Sequence, residues 1–264
     1  MSVPCDWIEA LRWAQDREAK KTEVFLKNFQ AWKLKNDGVP PIRPDYRQAS
    51  HEGQLDGNPE SVQREIRRVL AGGKPRQSEK WIARAFFNHY RQPSERVEIR
   101  GEVLEVLDYE TPLQAPKSKS NGGIGRVDLV ARGPGQRPAL VELKTRRAEK
   151  VLKAIIELGV YGQILSTQEA KNVFCASFKC DAAKPYDLIV LGSEGFFNRR
   201  APSLREAARE LGICLGASVR FVEIRGLAAK DVQAATWLDR RALSLDPKPR
   251  FKPGLRLELR SLPA

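Results

Sequence analysis

Gly125-Arg126-Val127-Asp128-Leu129-Val130-Ala131, followed a few residues later by Leu140-Val141-Glu142-Leu143-Lys144-Thr145, is the stretch on which the fold turns. Both segments are apolar and rich in valine and leucine, and Gly133-Pro134-Gly135-Gln136 between them reads as a turn. They predict two strands, 126–131 and 139–145. Strand side chains alternate faces, so Glu142 and Lys144 point the same way, roughly 7 Å apart, while Val141 and Leu143 point into a core. Asp128 sits among apolar neighbours on the first strand. Pairing of the two strands brings one carboxylate from each to a common point. Two carboxylates in an apolar sheet are costly unless something neutralises them. Oxygen-only ligands favour Mg²⁺ or Mn²⁺. Lys144 beside such an ion is suited to orient an attacking water and to neutralise charge on a scissile phosphate. The competing reading is an edge sheet whose acids face solvent.

Downstream, a long helix is predicted over 148–168, with Val151, Leu152, Ile155, Ile156, Leu158 and Leu165 on its apolar face. Two more apolar strands are expected near 172–178 and 186–191. A helix near 203–211, a strand near 218–224 and a helix near 228–243 follow, and the tail from Asp246 is rich in proline and basic residues. Upstream, 97–107 reads as extended chain broken at Gly101. A helix opens at Ser78, a suitable N-cap, and runs to Tyr90. A shorter helix over 59–70 stops at Gly72-Gly73. Residues 6–35 carry Trp7, Leu11, Phe25, Phe29 and Trp32 at helical spacing, and 36–59 is a link rich in Pro, Gly, Asn and Asp. The expected organisation is an N-terminal helical region with linker (1–60), an α/β (α+β) core (61–200), and a basic C-terminal extension packed on it (201–264).

The chain has 46 Lys and Arg against 33 Asp and Glu, a net charge of +13, which points to a polyanion and most directly to nucleic acid. Residues 171–264 hold 17 basic side chains against 10 acidic ones, so the excess is concentrated away from the paired strands. The segment 111–126 contains Lys117, Lys119 and Arg126 and no acid; its Gly and Asn residues would let the backbone approach phosphates, or leave a solvated loop. No apolar run approaches the roughly 20 residues of a membrane helix. The first residues lack a basic end followed by an apolar stretch, so no signal peptide is expected. A cytoplasmic location with no membrane partner follows. Four cysteines without a CxxC pair and only two histidines give poor support for zinc, and free thiols are expected. Trp7, Trp13 and Trp32 suit either core packing or docking of a protein partner, including a second copy.

Asp128 followed by Glu142-x-Lys144 resembles the D–(D/E)xK signature of the restriction-endonuclease-like PD-(D/E)xK nucleases, loosely the RecB-like and Mrr-like branch. The ordered context carries the likeness: Leu107 to Leu113, a loop, Gly125 to Leu129, a turn, Val141 to Lys144, then a helix with Glu157-x-x-x-Tyr161, together covering roughly 76–195. The resemblance implies a central mixed sheet of four to five strands flanked by helices. It implies a Mg²⁺-dependent deoxyribonuclease, with a role in restriction, repair or defence. Asp128, Glu142 and the carbonyl of Leu143 would hold Mg²⁺ (or Mn²⁺), and Lys144 would position water. Glu79, opening the helix before the sheet, would complete the set, with Glu65, Glu98 and Glu102 as weaker candidates. Lys117, Lys119, Arg126, Tyr161 and Gln163 would contact DNA. Val127 stands where the family has proline, and Glu157 where RecB-like members have glutamine. Tyr161 shares a helix face with Glu157 and either lines the site or caps the core. An iron–sulfur cluster on Cys5, Cys175, Cys180 and Cys214 fails on spacing. The alternative is a catalytically inactive nuclease fold that binds DNA or serves as a scaffold subunit.

Overall fold

The computed structural model describes residues 83, 86–87, 89–90, 97–99, 101–112, 126–144, 151–193, 196–197, 202–225, 232–235, 248–251 and 257–262. The expected helices at 6–35 and 59–70 and the link between them lie outside the described residues. Nine strands and three α-helices have bounds among those described, with Ala83, Phe86, Phe87, His89 and Tyr90 helical as well and a 3-10 turn at Pro134–Gln136. They run β1 (Val97–Ile99), β2 (Glu102–Pro112), β3 (Arg126–Arg132), β4 (Pro138–Lys144), α1 (Val151–Ile164), α2 (Gln168–Phe178), β5 (Asp187–Ser193), α3 (Pro202–Leu215), β6 (Ser218–Arg225), β7 (Val232–Ala235), β8 (Lys248–Phe251) and β9 (Glu258–Ser261).

Seven strands form one sheet in the order β1-β2-β3-β4-β5-β6-β9, and β7 pairs with β8 apart from it. The pairings β4–β5 and β5–β6 are parallel and the other four in the large sheet are antiparallel. The class is mixed α/β, as expected, with seven strands where four to five were anticipated. Gly101, at φ +77°, turns the chain between β1 and β2 and so splits the expected extended segment in two. The basic tail supplies β9 as a further strand.

Two expectations are overturned. Residues 172–178 are helical, within α2, and not a strand. Their apolar run is part of a longer helical pattern, Ala170, Phe174, Cys175 and Phe178, opened by the Thr167 hydroxyl, which accepts from Ala170 N–H. The parallel β4–β5 pair also requires a crossover, which α1 and α2 make. The helix expected over 228–243 is interrupted by β7 at 232–235, where pairing with Lys248–Phe251 overrides local helix preference.

One face of the sheet packs against α1, α2 and α3, where Val127, Leu140, Leu188, Val190 and Phe221 meet Ile155, Leu158, Phe174 and Leu211. The opposite face, with Leu129, Val141, Leu143, Ile189, Leu191 and Val222, is covered by helical Ala83, Phe86 and Tyr90. At Gly162 of α1, an added Cβ would lie 2.7 Å from Leu215 Cδ1, so the absent side chain lets α1 and α3 approach.

The sheet curls strongly. Arg220 on β6 donates to Glu102 on β2 at 2.8 Å, although β3, β4 and β5 lie between these strands in the order. Arg220 also meets Asp187 at 2.8 Å. Arg137 bridges the same two acids, at 3.0 Å to Glu102 and 2.9 Å to Asp187. Two acids and two arginines thus close one end of the sheet. Burial pushes the Asp187 carboxyl up, against the pull of both arginines.

Candidate active site

The other end of β3 and β4 carries the acids. The two strands pair from Arg132–Pro138 to Leu129–Val141, and no β3 partner faces Glu142, Leu143 or Lys144. Asp128 lies where the strands part, and its Oδ2 accepts from the main-chain N–H of Leu143 at 2.7 Å. A side chain here replaces a ladder bond, so the carboxylate is fixed by the backbone of the strand that bears the other two residues. Simple alternation would place Val127 and Leu129 in one layer. Instead Val127 and Val130 join the helix-covered core, while Leu129 and Ala131 join the opposite one. The register of β2 against β3 also shifts between Val106 and Asp108.

Val141 and Leu143 enter the opposite core, so Glu142 and Lys144 face α1, as their spacing predicted. Lys144 Nζ lies 2.6 Å from Glu142 Oε1 and 3.0 Å from Glu157 Oε2. The second contact has ion-pair distance without hydrogen-bond geometry. Lys153, one helical turn before Glu157, reaches Glu157 Oε1 at 3.7 Å from the solvent side. Tyr161, one turn further along the same face, donates its buried hydroxyl to the Arg126 carbonyl at 3.1 Å. It thereby ties α1 to the start of β3.

Asp128, Glu142 and Lys144 are all buried, with 8%, 3% and 2% of their surface exposed. Burial pushes the Asp128 carboxyl up to about 7; Lys144 and the Leu143 N–H pull it down, and Glu110 and Glu157 push it further up. Burial, then the charges of Asp128 and Glu157, hold Glu142 well above the usual carboxylate range despite Lys144. The same burial, with Glu142 and Glu157 nearby, raises the Tyr161 phenol, so it stays a neutral donor. Among the described residues, these acids share one buried ammonium, that of Lys144.

Such a pocket has the chemistry to accept a cation. Glu142 Oε2 is buried without a hydrogen-bond partner, and each acid raises the cost of ionising the next. Among the described residues no three Asp, Glu, His or Cys side chains are grouped to hold a metal ion. Mg²⁺ often uses only one or two carboxylates and completes its shell with water and substrate oxygen. Asp128 and Glu142 satisfy that lesser demand, so the residues present fit the ion.

Of the residues singled out in the sequence, Asp128, Glu142, Leu143, Lys144 and Tyr161 come together here. Arg126 contributes its carbonyl to Tyr161, which the sequence did not suggest. Gln163 contacts the Ser166 hydroxyl at 3.4 Å, past the end of α1. Glu79, Lys117 and Lys119 lie outside the described residues. The alternative acid Glu102 belongs to the arginine cluster at the opposite end of the sheet, and Glu98 pairs with Val103 across the β1–β2 turn. Glu110 was missed. Its neighbours Tyr109 and Thr111 pair with Leu129 and Val127, which sets it opposite Asp128. It adopts φ +48°, a left-handed conformation costly for a residue with a Cβ, by about 1–2 kcal/mol. A strand acid flanked by Asp108, Tyr109 and Thr111-Pro112 was the available signal.

No family model, curated protein or solved structure matches the chain. Among the described residues no helix is long and apolar enough to cross a membrane.

Proposed function

We propose that the chain is a metal-dependent nuclease of the restriction-endonuclease-like kind, hydrolysing phosphodiester bonds of nucleic acid, with DNA as the substrate to test first. The observation that carries this reading is the meeting of Asp128, Glu142 and Lys144 in one buried pocket where β3 and β4 part. The core of that fold would be β2 to β6 with α1 and α2. Supporting it further is the excess of basic residues elsewhere in a chain of net charge +13.

Asp128, Glu142 and the Leu143 carbonyl would hold Mg²⁺ or Mn²⁺. When bound, the ion supplies Lewis-acid polarisation of a phosphate oxygen. Lys144 provides a fixed positive charge within the same pocket, where negative charge grows on the phosphate during displacement. Its ammonium is already oriented by Glu142 and Glu157, so no reorganisation is needed as charge develops. The Leu143 N–H fixes one Asp128 oxygen, Oδ2, and so holds the carboxylate against β4. Tyr161 holds β3 against α1 and so keeps the parted strands at a set spacing.

The test is cleavage of plasmid and single-stranded DNA with Mg²⁺ or Mn²⁺ by wild type, Asp128→Ala and Lys144→Ala. Wild type alone should cut. Equal activity in all three, or none with either ion, overturns the reading. The second reading is a nuclease fold retained for binding or scaffolding. The direct Lys144–Glu142 bond favours it, because the lysine then serves as the counter-ion itself. It predicts salt-sensitive DNA retention with no metal-dependent cutting.

A further inference from the structure

We propose that Cys175 and Cys180 form a modification site: the two thiols oxidise to an internal disulfide that staples the C-terminal cap of α2. Both are present as thiols, Cys175 buried and Cys180 half-buried. This inference is independent of the nuclease reading, since the pair lies outside the acid pocket.

The geometry follows from how α2 ends. Lys179 takes the left-handed conformation, φ 52° and ψ 41°, and its N–H bonds to Ala176 O. The N–H of Cys180 then bonds back to Cys175 O at 2.8 Å. That pair of bonds is the Schellman motif, in which the residue after the left-handed position contacts the residue five before it. The positions that ordinarily make this apolar contact are both cysteines here. With that bond at 2.8 Å, backbone dimensions keep the two α-carbons within about 6.7 Å of each other, inside the roughly 4.4–6.8 Å reach of a disulfide. Burial first, and then the Cys175 and Cys180 thiols, raise the Tyr186 hydroxyl, so both thiols lie on the side of the cap that faces Tyr186. Cys180 Sγ makes a long contact to Phe178 O, 3.7 Å, that rotation about its side chain would break.

The cap anchors other parts. Arg132 at the end of β3 donates to Lys179 O at 2.8 Å, and Asp181 N–H donates to Gln136 O at 2.8 Å in the β3–β4 turn. A bond across the cap would therefore fix the attachment of the β3–β4 hairpin to α2.

The oxidant is a small-molecule disulfide such as oxidised glutathione. The more accessible Cys180, as thiolate, attacks one glutathione sulfur; a mixed disulfide forms and one glutathione thiolate leaves. Cys175 then gives up its proton to solvent and attacks Cys180 Sγ, and the second glutathione thiolate leaves. Two electrons pass from the cysteine pair to one glutathione disulfide. Burial holds the Cys175 thiol up near 11, so the second step is the slow one.

The experiment equilibrates the full chain with oxidised glutathione, alkylates the remaining thiols, denatures and digests with trypsin. Trypsin cuts after Lys171 and Lys179 and, because Pro185 blocks cleavage at Lys184, next after Arg199, so the proposed bond joins residues 172–179 to residues 180–199. Expected are that linked pair as the main product, its absence in Cys180→Ser, and a melting temperature raised by roughly 5 °C and restored by reductant. Persistently alkylated Cys175 and Cys180, pairing with Cys5 or Cys214 instead, or a linked product that melts no higher would each overturn the proposal.

Discussion

Replacing Asp128 by Asn removes a charge while keeping the shape and an oxygen for the Leu143 N–H, so it isolates what the buried carboxylate costs. The Asp128 carboxyl rises from 3.8 to about 7 on folding, driven first by burial. A raised acid means that the folded state binds the proton more tightly than the unfolded chain does. Folding is then progressively weakened as pH rises from about 4 to about 7, and the penalty levels off above that. The full difference is roughly 4 kcal/mol. That is a large share of the 5–15 kcal/mol typical of a folded domain. In a chain of this size it corresponds to a melting shift on the order of 10 °C. The amide of the Asp128→Asn variant cannot titrate, so the variant escapes the penalty. Thermal melts in EDTA at pH 4, 6 and 8 should show little difference between wild type and Asp128→Asn at pH 4. The variant should be clearly the more stable at pH 8. Adding Mg²⁺ at pH 8 should raise wild type and leave the variant nearly unchanged. A variant that melts at or below wild type at pH 8 in EDTA would refute the idea that this carboxylate is buried at a cost.

Lys144→Met should cost about 3–5 kcal/mol and abolish any cleavage, because it strips the buried counter-ion from Glu142 and Glu157; urea unfolding monitored by circular dichroism reads the first effect. Gly192→Ala should cost about 1–3 kcal/mol, since its Cβ would meet Phe196 Cδ1 and Phe197 Cε2 at 2.6 Å, and Gly192 pairs directly with Lys144; chemical denaturation measures it.

How much of this was legible depended on where the signal was local. Alternation in Val141-Glu142-Leu143-Lys144 gave the correct facing of all four residues, because β4 is regular and buried on both faces. The same rule would not give the facing of Val127, because β3 leaves regular pairing with β4 beyond Leu129. Nothing in Val-Asp-Leu-Val reports a strand parting from its partner. Residues 172–178 misled because Val173-Phe174-Cys175-Ala176 is apolar enough for a strand, and only the Thr167 cap and the longer repeat show a helix. Glu110 could be read as a strand acid, but its position opposite Asp128 depends on cross-strand register, which is set by a shift at Val106–Asp108 that no motif announces. The Glu102–Arg137–Asp187–Arg220 ring was equally hidden, since it joins residues up to 118 positions apart through the curl of the sheet.

That ring also serves as an internal comparison for the acid pocket. Both clusters lie at ends of the same sheet, but at the ring only Asp187 is buried, while the Glu102 side chain is 39% exposed. At the ring, Glu102 and Asp187 are each shared between two arginines, so acids and cations balance. At the pocket, Asp128, Glu142 and Glu157 gather around Lys144, with Lys153 only at the rim. The chain carries 13 more basic than acidic residues, so a shortage of cations does not explain the imbalance. Among the described residues, Asp187 is matched by two arginines, whereas the acids of β3, β4 and α1 share Lys144, with one of them held up to about 7 and Glu142 Oε2 without a hydrogen bond. An arrangement that lowers stability in the absence of a further positive charge is what a cation site requires. The excess of acid over ammonium among the described residues is therefore what the proposed divalent ion would offset, and the Mg²⁺ arm of the Asp128→Asn melts reads it directly.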